Sequence, residues 1–225
     1  GWGRCGAGST RRDPAPDRGS QTGATVQTGS PSDSGHLRKL LAPLRMPVRL
    51  VPGNRDERAN FRAAFQPAAT DGEFLHYAID EFPVRLVALD SIDPAHNQGV
   101  YCAARQRWLE ACLSAAPDRP TILFIHHPPF DVGPRYIDGY RDPAHRAALT
   151  AIVARHRQVR RLLCGHCHRS SQQIWANAPA TTMPSVARDV REGIAVPRLA
   201  STPLYQLHMV SDDGTVTTQT RFALD

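Results

Sequence analysis

The sequence predicts an α/β fold built in layers. Short apolar runs alternate with stretches of helical periodicity from residue 36 onward. Three of those runs end in polar turns rich in ligating side chains: Val51-Pro52-Gly53-Asn54, Ile125-His126-His127-Pro128-Pro129 and Leu163-Cys164-Gly165-His166-Cys167-His168. The chain then closes on two β-rich runs around Asp213-Gly214. Alternating strands and helices pack as a sheet between helical layers, and an Asp-Gly pair favours a tight hairpin.

Each element has its own local reason. Leu37, Leu40, Leu41 and Leu44 share one face of a short helix over 36–44, which Pro47 stops. Val48 to Val51 is a short buried strand feeding the Gly53-Asn54 turn. Phe61 to Phe65 predicts a helical turn. Phe74 to Ile79 and Val84 to Leu89 predict a strand pair joined around Glu81-Phe82-Pro83. Trp108, Leu109, Cys112 and Leu113 give helical spacing to 103–115 and belong to a helix core. Thr121 to Ile125 is a strand that ends at His126. Asp142-Pro143 supplies an acidic N-cap and a first-turn proline to a helix running to about His156. Val159 to Leu163 and Gln172 to Trp175 are strands, and Leu204 to Val210 with Thr215 to Phe222 make the closing hairpin.

Residues 1–35 differ from the rest. They hold half of the 16 glycines, many Ser, Thr, Arg and Pro, and few large apolar residues. Such a segment buries too little surface to offset its ordering entropy. It is expected to be disordered, or an aberrant stretch resembling out-of-frame translation of a GC-rich gene. The folded domain is expected to span 36–225.

Composition narrows the class. With 41% apolar and 21% charged residues the chain reads as soluble and globular. No run approaches the roughly 20 apolar residues of a membrane span, and the N-terminus shows no apolar leader. Five cysteines without framework spacing argue for a reducing, cytoplasmic setting. The formal charge is +6, and Lys39 is the sole lysine among 27 basic residues. The arginines are scattered rather than blocked together, which argues against a nucleic-acid partner.

The three turns carry the chemistry. Ligands in open α/β sheets gather beyond the carboxyl ends of the strands, so three distant segments can converge there. His166 and His168, two apart on an extended turn, can reach one metal cluster, and neutral imidazole suits Mn, Fe or Zn. The prolines after His126-His127 keep both histidines off a helix. Asn54 adds a neutral amide oxygen after a glycine that permits positive φ. Cys164 and Cys167 also form a C-x-x-C. A redox pair would want it at a helix N-terminus, and a zinc knuckle would want a second ligand pair; neither is visible.

From His36 onward the chain resembles the calcineurin-like metallophosphoesterase superfamily. Within it, the chain looks like the bacterial class III 3',5'-cyclic AMP phosphodiesterases. The three turns in this order carry the resemblance, with Leu89-Asp90-Ser91, Gln106-x-Trp108-Leu109, Thr182-Met183-Pro184-Ser185 and the final hairpin. It implies a four-layer α-β-β-α sandwich, here N-terminally incomplete. It also implies two divalent metal ions, a small phosphodiester or nucleotide substrate and a possible homodimer. By resemblance Asn54, His126 and His166 hold one metal and His168 helps to hold the other. A metal-bound hydroxide attacks phosphorus, with Arg55 and His127 at the catalytic positions, His127 acting from behind the ligand His126.

The chain departs from the family in three places. Residues 1–35 contain no Asp-x-His. Within Thr28-Gly29-Ser30-Pro31-Ser32-Asp33, Ser30 stands where the family has a bridging Asp. Arg55 stands where it has a catalytic His. Two dications about 3.5 Å apart repel by roughly 19 kcal/mol at an effective dielectric of about 20, and bridging anions normally offset that. The surviving ligands are neutral; Asp33, Asp56 and Asp90 are candidate substitutes, though nothing in the sequence shows that any of them reaches the site. The expectation is at most one metal and impaired hydrolysis; the alternative is an inactive binding protein for a phosphate or nucleotide.

Overall fold

The computed structural model describes residues 19–23, 29–65, 72–133, 139–183, 202–211 and 213–222. At its centre is a six-stranded mixed sheet. It comprises β3 (Tyr77–Ile79), β4 (Arg85–Leu89), β5 (Thr121–Ile125), β6 (Val159–Cys164), β7 (Ser171–Trp175) and β8 (Ala178–Thr182), in the order β3-β4-β5-β6-β8-β7. β4, β5, β6 and β8 run parallel, with β3 and β7 antiparallel at the edges. All five residues of β5 are buried, as expected of a parallel strand covered on both faces.

Two helices cover one face: α3 (Ala103–Ser114) and α4 (Pro143–Arg155). Leu109, Leu113, Leu149, Ile152 and Val153 pack with Val87, Leu89, Leu123 and Ile125 in the main core. Full burial of each such side chain contributes about 1.5–3 kcal/mol. α4 starts as its sequence predicts: Asp142 accepts from Ala144 N and Pro143 takes the first turn.

The other face meets a second β layer. β2 (Val48–Pro52) packs Val51 against Tyr77, Ile79, Ala88 and Phe124, and Tyr77 donates its hydroxyl to Leu50 O at 2.7 Å. β1 (Gly19–Gly23) pairs with β2 in parallel. The hairpin β9 (Leu204–Val210) and β10 (Val216–Phe222) lies beside Thr181, and turns at Gly214, whose φ of +79 suits glycine. Outside β2 lie α1 (Pro31–Leu41) and α2 (Arg58–Phe65), joined by Leu41, Leu50, Phe61, Phe65 and Leu75. The layers therefore run helix, sheet, sheet, helix, with the second β layer made of two separate strand pairs.

Three expectations need correction. The first helix spans 31–41 rather than 36–44, because Ser30 caps it: Ser30 Oγ accepts from Asp33 N at 3.2 Å and Pro31 fits the first turn. Residues 29–35 are thus part of the fold, and the backbone of 19–23 forms a strand, so disorder through residue 35 does not hold. β8 was not expected. Ala178-Pro179-Ala180-Thr181-Thr182 lacks bulky β-formers, and only pairing with β6 and β7 fixes it as a strand. Residues 1–18, 24–28 and 184–201 lie outside the described part, and with them Thr28, Pro184 and Ser185.

Candidate metal centre

Four strands deliver their last residues to one edge. β2 leads into Gly53-Asn54, β4 into Asp90-Ser91, β5 into His126-His127 and β6 into Gly165-His166. The parallel register of β4, β5 and β6 sets Leu89, Ile125 and Cys164 level, so the following residues emerge side by side. The β5 and β6 turns are tied together, as Gly165 N donates to His126 O at 3.1 Å.

His126, His127 and His166 bring ring nitrogens within 4.8 Å of one another. His126 Nε2 lies 2.9 Å from Asn54 Oδ1 and 3.2 Å from His166 Nδ1. Donor atoms bound to one ion at about 2.1 Å are themselves roughly 3–3.4 Å apart. The Asn54–His126 and His126–His166 separations are close to that spacing. His126 Nδ1 is buried without a hydrogen-bond partner. Among the described residues no carboxylate joins the cluster.

Electrostatics keep the rings neutral. Burial pushes the His126 pKa well down, with His127, His166 and His168 adding to the effect. Burial, then His168, lowers His166 to about 4. Neutral imidazoles present lone pairs, which is the form that binds metal. The backbone at His166 (φ 69) and His168 (φ 52) is left-handed, a costly conformation for non-glycine residues that clusters at functional sites. Cys167 sits buried between them and donates its N–H to Gly165 O at 2.8 Å.

His127 is arranged differently. Its Nε2 donates to Asn97 O at 2.9 Å, so its Nδ1 accepts from Ser91 Oγ at 2.8 Å. Burial lowers its pKa to about 3. Both ring nitrogens of His127 are thus engaged in hydrogen bonds. His168 lies outside the three-histidine group. Arg55 is exposed at the Asn54 turn.

Two of the acidic substitutes, Asp90 and Asp56, are committed elsewhere. Asp90 is fully buried and binds Arg58 at 2.7 and 3.0 Å, Leu75 N at 2.9 Å and Ile92 N at 2.9 Å. Asp56 closes the Gly53 turn, accepting from Gly53 N at 2.8 Å. Ser30 and Asp33 form the α1 cap, and Gly29 packs beside the Asn54 turn, its carbonyl accepting from Asn60 Nδ2 at 2.8 Å. The Cys164-Cys167 pair does not suit redox chemistry, since burial raises both thiols, Cys167 to about 12. Ser91, Asn97, Arg58 and Arg105 were missed from the sequence. Only Ser91 had a signal, in its place just beyond a strand end.

A buried histidine cluster beside an asparagine, at the carboxyl edge of a sheet in an α-β-β-α sandwich, is an arrangement suited to a metal-dependent phosphoesterase. The comparisons agree. The chain is 30% identical over 215 residues to a probable glycerophosphodiester phosphodiesterase of Arcobacter nitrofigilis, a match covering 93% of this chain and 79% of that protein. It is 35% identical over 180 residues to the glycerophosphodiester phosphodiesterase of Enterobacter lignolyticus, covering 78% and 64%. It is 30% identical over 213 residues to a 3',5'-cyclic adenosine monophosphate phosphodiesterase of Pseudomonas aeruginosa, covering 92% and 75%. It thus spans just under two thirds of the Enterobacter protein. Among solved structures, a dimetal phosphatase of Danio rerio superposes with a TM-score of 0.58 at 15% identity, over 68% of this chain and 66% of that one. No protein-family model matches. The chain belongs to the calcineurin-like metallophosphoesterase superfamily, alongside the glycerophosphodiester and cyclic nucleotide phosphodiesterases, and is a hydrolase by family. No helix among the described residues is long and apolar enough to cross a membrane.

Proposed function

We propose that this chain binds one divalent cation through Asn54, His126 and His166 and hydrolyses a small phosphodiester slowly. The observation that carries the reading is the convergence of Asn54 Oδ1, His126 Nε2 and His166 Nδ1 at 2.9 and 3.2 Å, without a carboxylate among the described residues. A divalent ion at such a site supplies Lewis-acid charge to a phosphoryl oxygen. Three neutral ligands favour a single, loosely held ion, because nothing anionic offsets the repulsion of a second. His168 stays outside that set, and His127 serves as a positioning group behind His126.

The exposed guanidinium of Arg55 is suited to clamping a phosphate, where its fork matches the oxygens. It stays protonated and so cannot act as a general acid, a step that typically contributes 10²–10⁴-fold. The named activities of the relatives support a glycerophosphodiester or a 3',5'-cyclic nucleotide as substrate. The second reading, a phosphate- or nucleotide-binding protein without turnover, is favoured by Ser30, which caps a helix where the family has an anionic ligand.

The test is metal analysis of the purified protein, with hydrolysis of bis-p-nitrophenyl phosphate, glycerophosphodiesters and cyclic AMP followed with and without Mn²⁺. One ion per chain with slow, Mn²⁺-dependent turnover supports the proposal. Ligand binding without turnover selects the second reading. Two ions with rapid turnover would overturn both.

A further inference from the structure

Asn97 stands in the loop between β4 and α3, outside every motif of the sequence. Its side chain and its main chain reach different members of the metal centre. Asn97 Oδ1 accepts from Asn54 Nδ2 at 3.4 Å, and Asn97 O accepts from His127 Nε2 at 2.9 Å. The loop around it is pinned. Ala95 N donates to Asp93 Oδ1 at 2.9 Å, Gly99 N to Gly139 O at 2.7 Å and Val100 N to Ser91 O at 3.0 Å. A Cβ at Gly99 would sit 2.9 Å from both Gly139 O and His127 Cβ, so the loop runs hard against the His127 ring.

The Asn54 carboxamide has an acceptor at one end and two donors at the other. Only its oxygen can face a cation; the flipped amide would aim N–H groups at it. Two contacts hold the oxygen inward. One is His126 Nε2 at 2.9 Å, and the other is Asn97 Oδ1 at the opposite end of the amide. The first requires a proton on His126 Nε2, because Asn54 Oδ1 has none to give. A ring nitrogen that ligates a cation carries no such proton. A cation at this site would therefore displace the His126 contact, whereas the Asn97 contact involves no ligating atom.

We propose that Asn97 is the positioning residue that holds the Asn54 amide in its metal-binding orientation. The proposal rests on the Asn54-His126-His166 centre inferred above. Asn97 does not touch the ion; it acts through Asn54 and fixes which amide atom is offered.

The experiment is Mn²⁺ titration by calorimetry of the full chain, of Asn97→Ala, of Asn54→Ala, of the double variant and of Asn97→Asp, each with a thermal melt. Outer partners of metal ligands typically account for 10–100-fold in affinity, and this contact is long and exposed, so Asn97→Ala is expected to weaken Mn²⁺ binding about tenfold. In the Asn54→Ala background the same change should do almost nothing, since the amide it positions is gone. Asn97→Asp keeps an acceptor for Asn54 Nδ2, adds a negative charge, and should bind at least as tightly as the parent. Equal losses in both backgrounds would mean that Asn97 acts through the loop and His127, and would overturn the proposal, as would no loss at all. A parent protein that binds no Mn²⁺, or binds it undiminished after Asn54→Ala, overturns the metal centre and the Asn97 role with it.

Discussion

Replacing Asp90 by Asn separates scaffold from ligand. Asp90 is a strand-end carboxylate beside the metal centre, and in sequence terms it is a candidate to replace the missing anionic ligand. In the fold its carboxylate is fully buried and spent on Arg58, Leu75 N and Ile92 N, with Arg105 at 3.9 Å. Burial alone would raise its pKa, but hydrogen bonding and charge from Arg58 outweigh that and hold it below the usual carboxylate range. Asp90→Asn keeps the shape but removes the charge and one acceptor. Arg58 and the buried Arg105 are left without their shared counter-charge. Breaking a buried ion pair from one side costs about 3–5 kcal/mol, a large part of a total stability of roughly 5–15 kcal/mol. With an m-value of about 2 kcal/mol/M, the urea midpoint should fall by about 2 M. The measurement is urea unfolding in the presence of chelator, so that metal linkage does not contribute. In the Arg58→Met background the Asn substitution should cost less, by about 0.5–3 kcal/mol. An unchanged midpoint together with lost Mn²⁺ binding would refute the reasoning and make Asp90 a ligand.

Three other outcomes are expected. His76 is buried against Trp108, ring centroids 4.0 Å apart, and burial lowers its pKa to about 4; its ordinary value lies near 6.5, so the unfolded chain takes up a proton the folded one refuses, stability falls as pH drops from about 6.5 to 4, and His76→Phe should lessen that slope in melts across this range, the rest coming from the other buried histidines. Gly29→Ala should destabilise by more than about 1 kcal/mol in urea unfolding, because φ is +71 and the new Cβ would lie 2.7 Å from Arg55 O. Ser30→Asp should leave the melt nearly unchanged, since Asp caps helices as well as Ser, yet tighten Mn²⁺ binding at least about tenfold by calorimetry; unaltered affinity would mean that position 30 does not face the ion.

Much of this protein was legible in the order of its residues. Period-2 and period-3.6 patterns are local, so the strands before His126 and His166 and the helices over 103–114 and 143–155 could be read directly. The convergence of Asn54, His126 and His166 was legible too, because each follows an apolar run that stops in a turn. Locally ambiguous elements were less so. The cap at Ser30 lies in a glycine- and serine-rich stretch, and β8 has almost no strand propensity of its own.

What the sequence by itself determined was the layer class and the kinds of side chain carried by the turns beyond three strand ends, since both follow from periodicity and residue chemistry. Tertiary structure alone decided which groups are free to act. It committed Asp90 to Arg58 and Asp56 to the Gly53 turn, closed both nitrogens of His127, and carried Asn97 across to Asn54. Those assignments join residues as far as 43 positions apart. They depend on which strands lie side by side, and a hydrogen bond at 3 Å leaves no trace in local pattern.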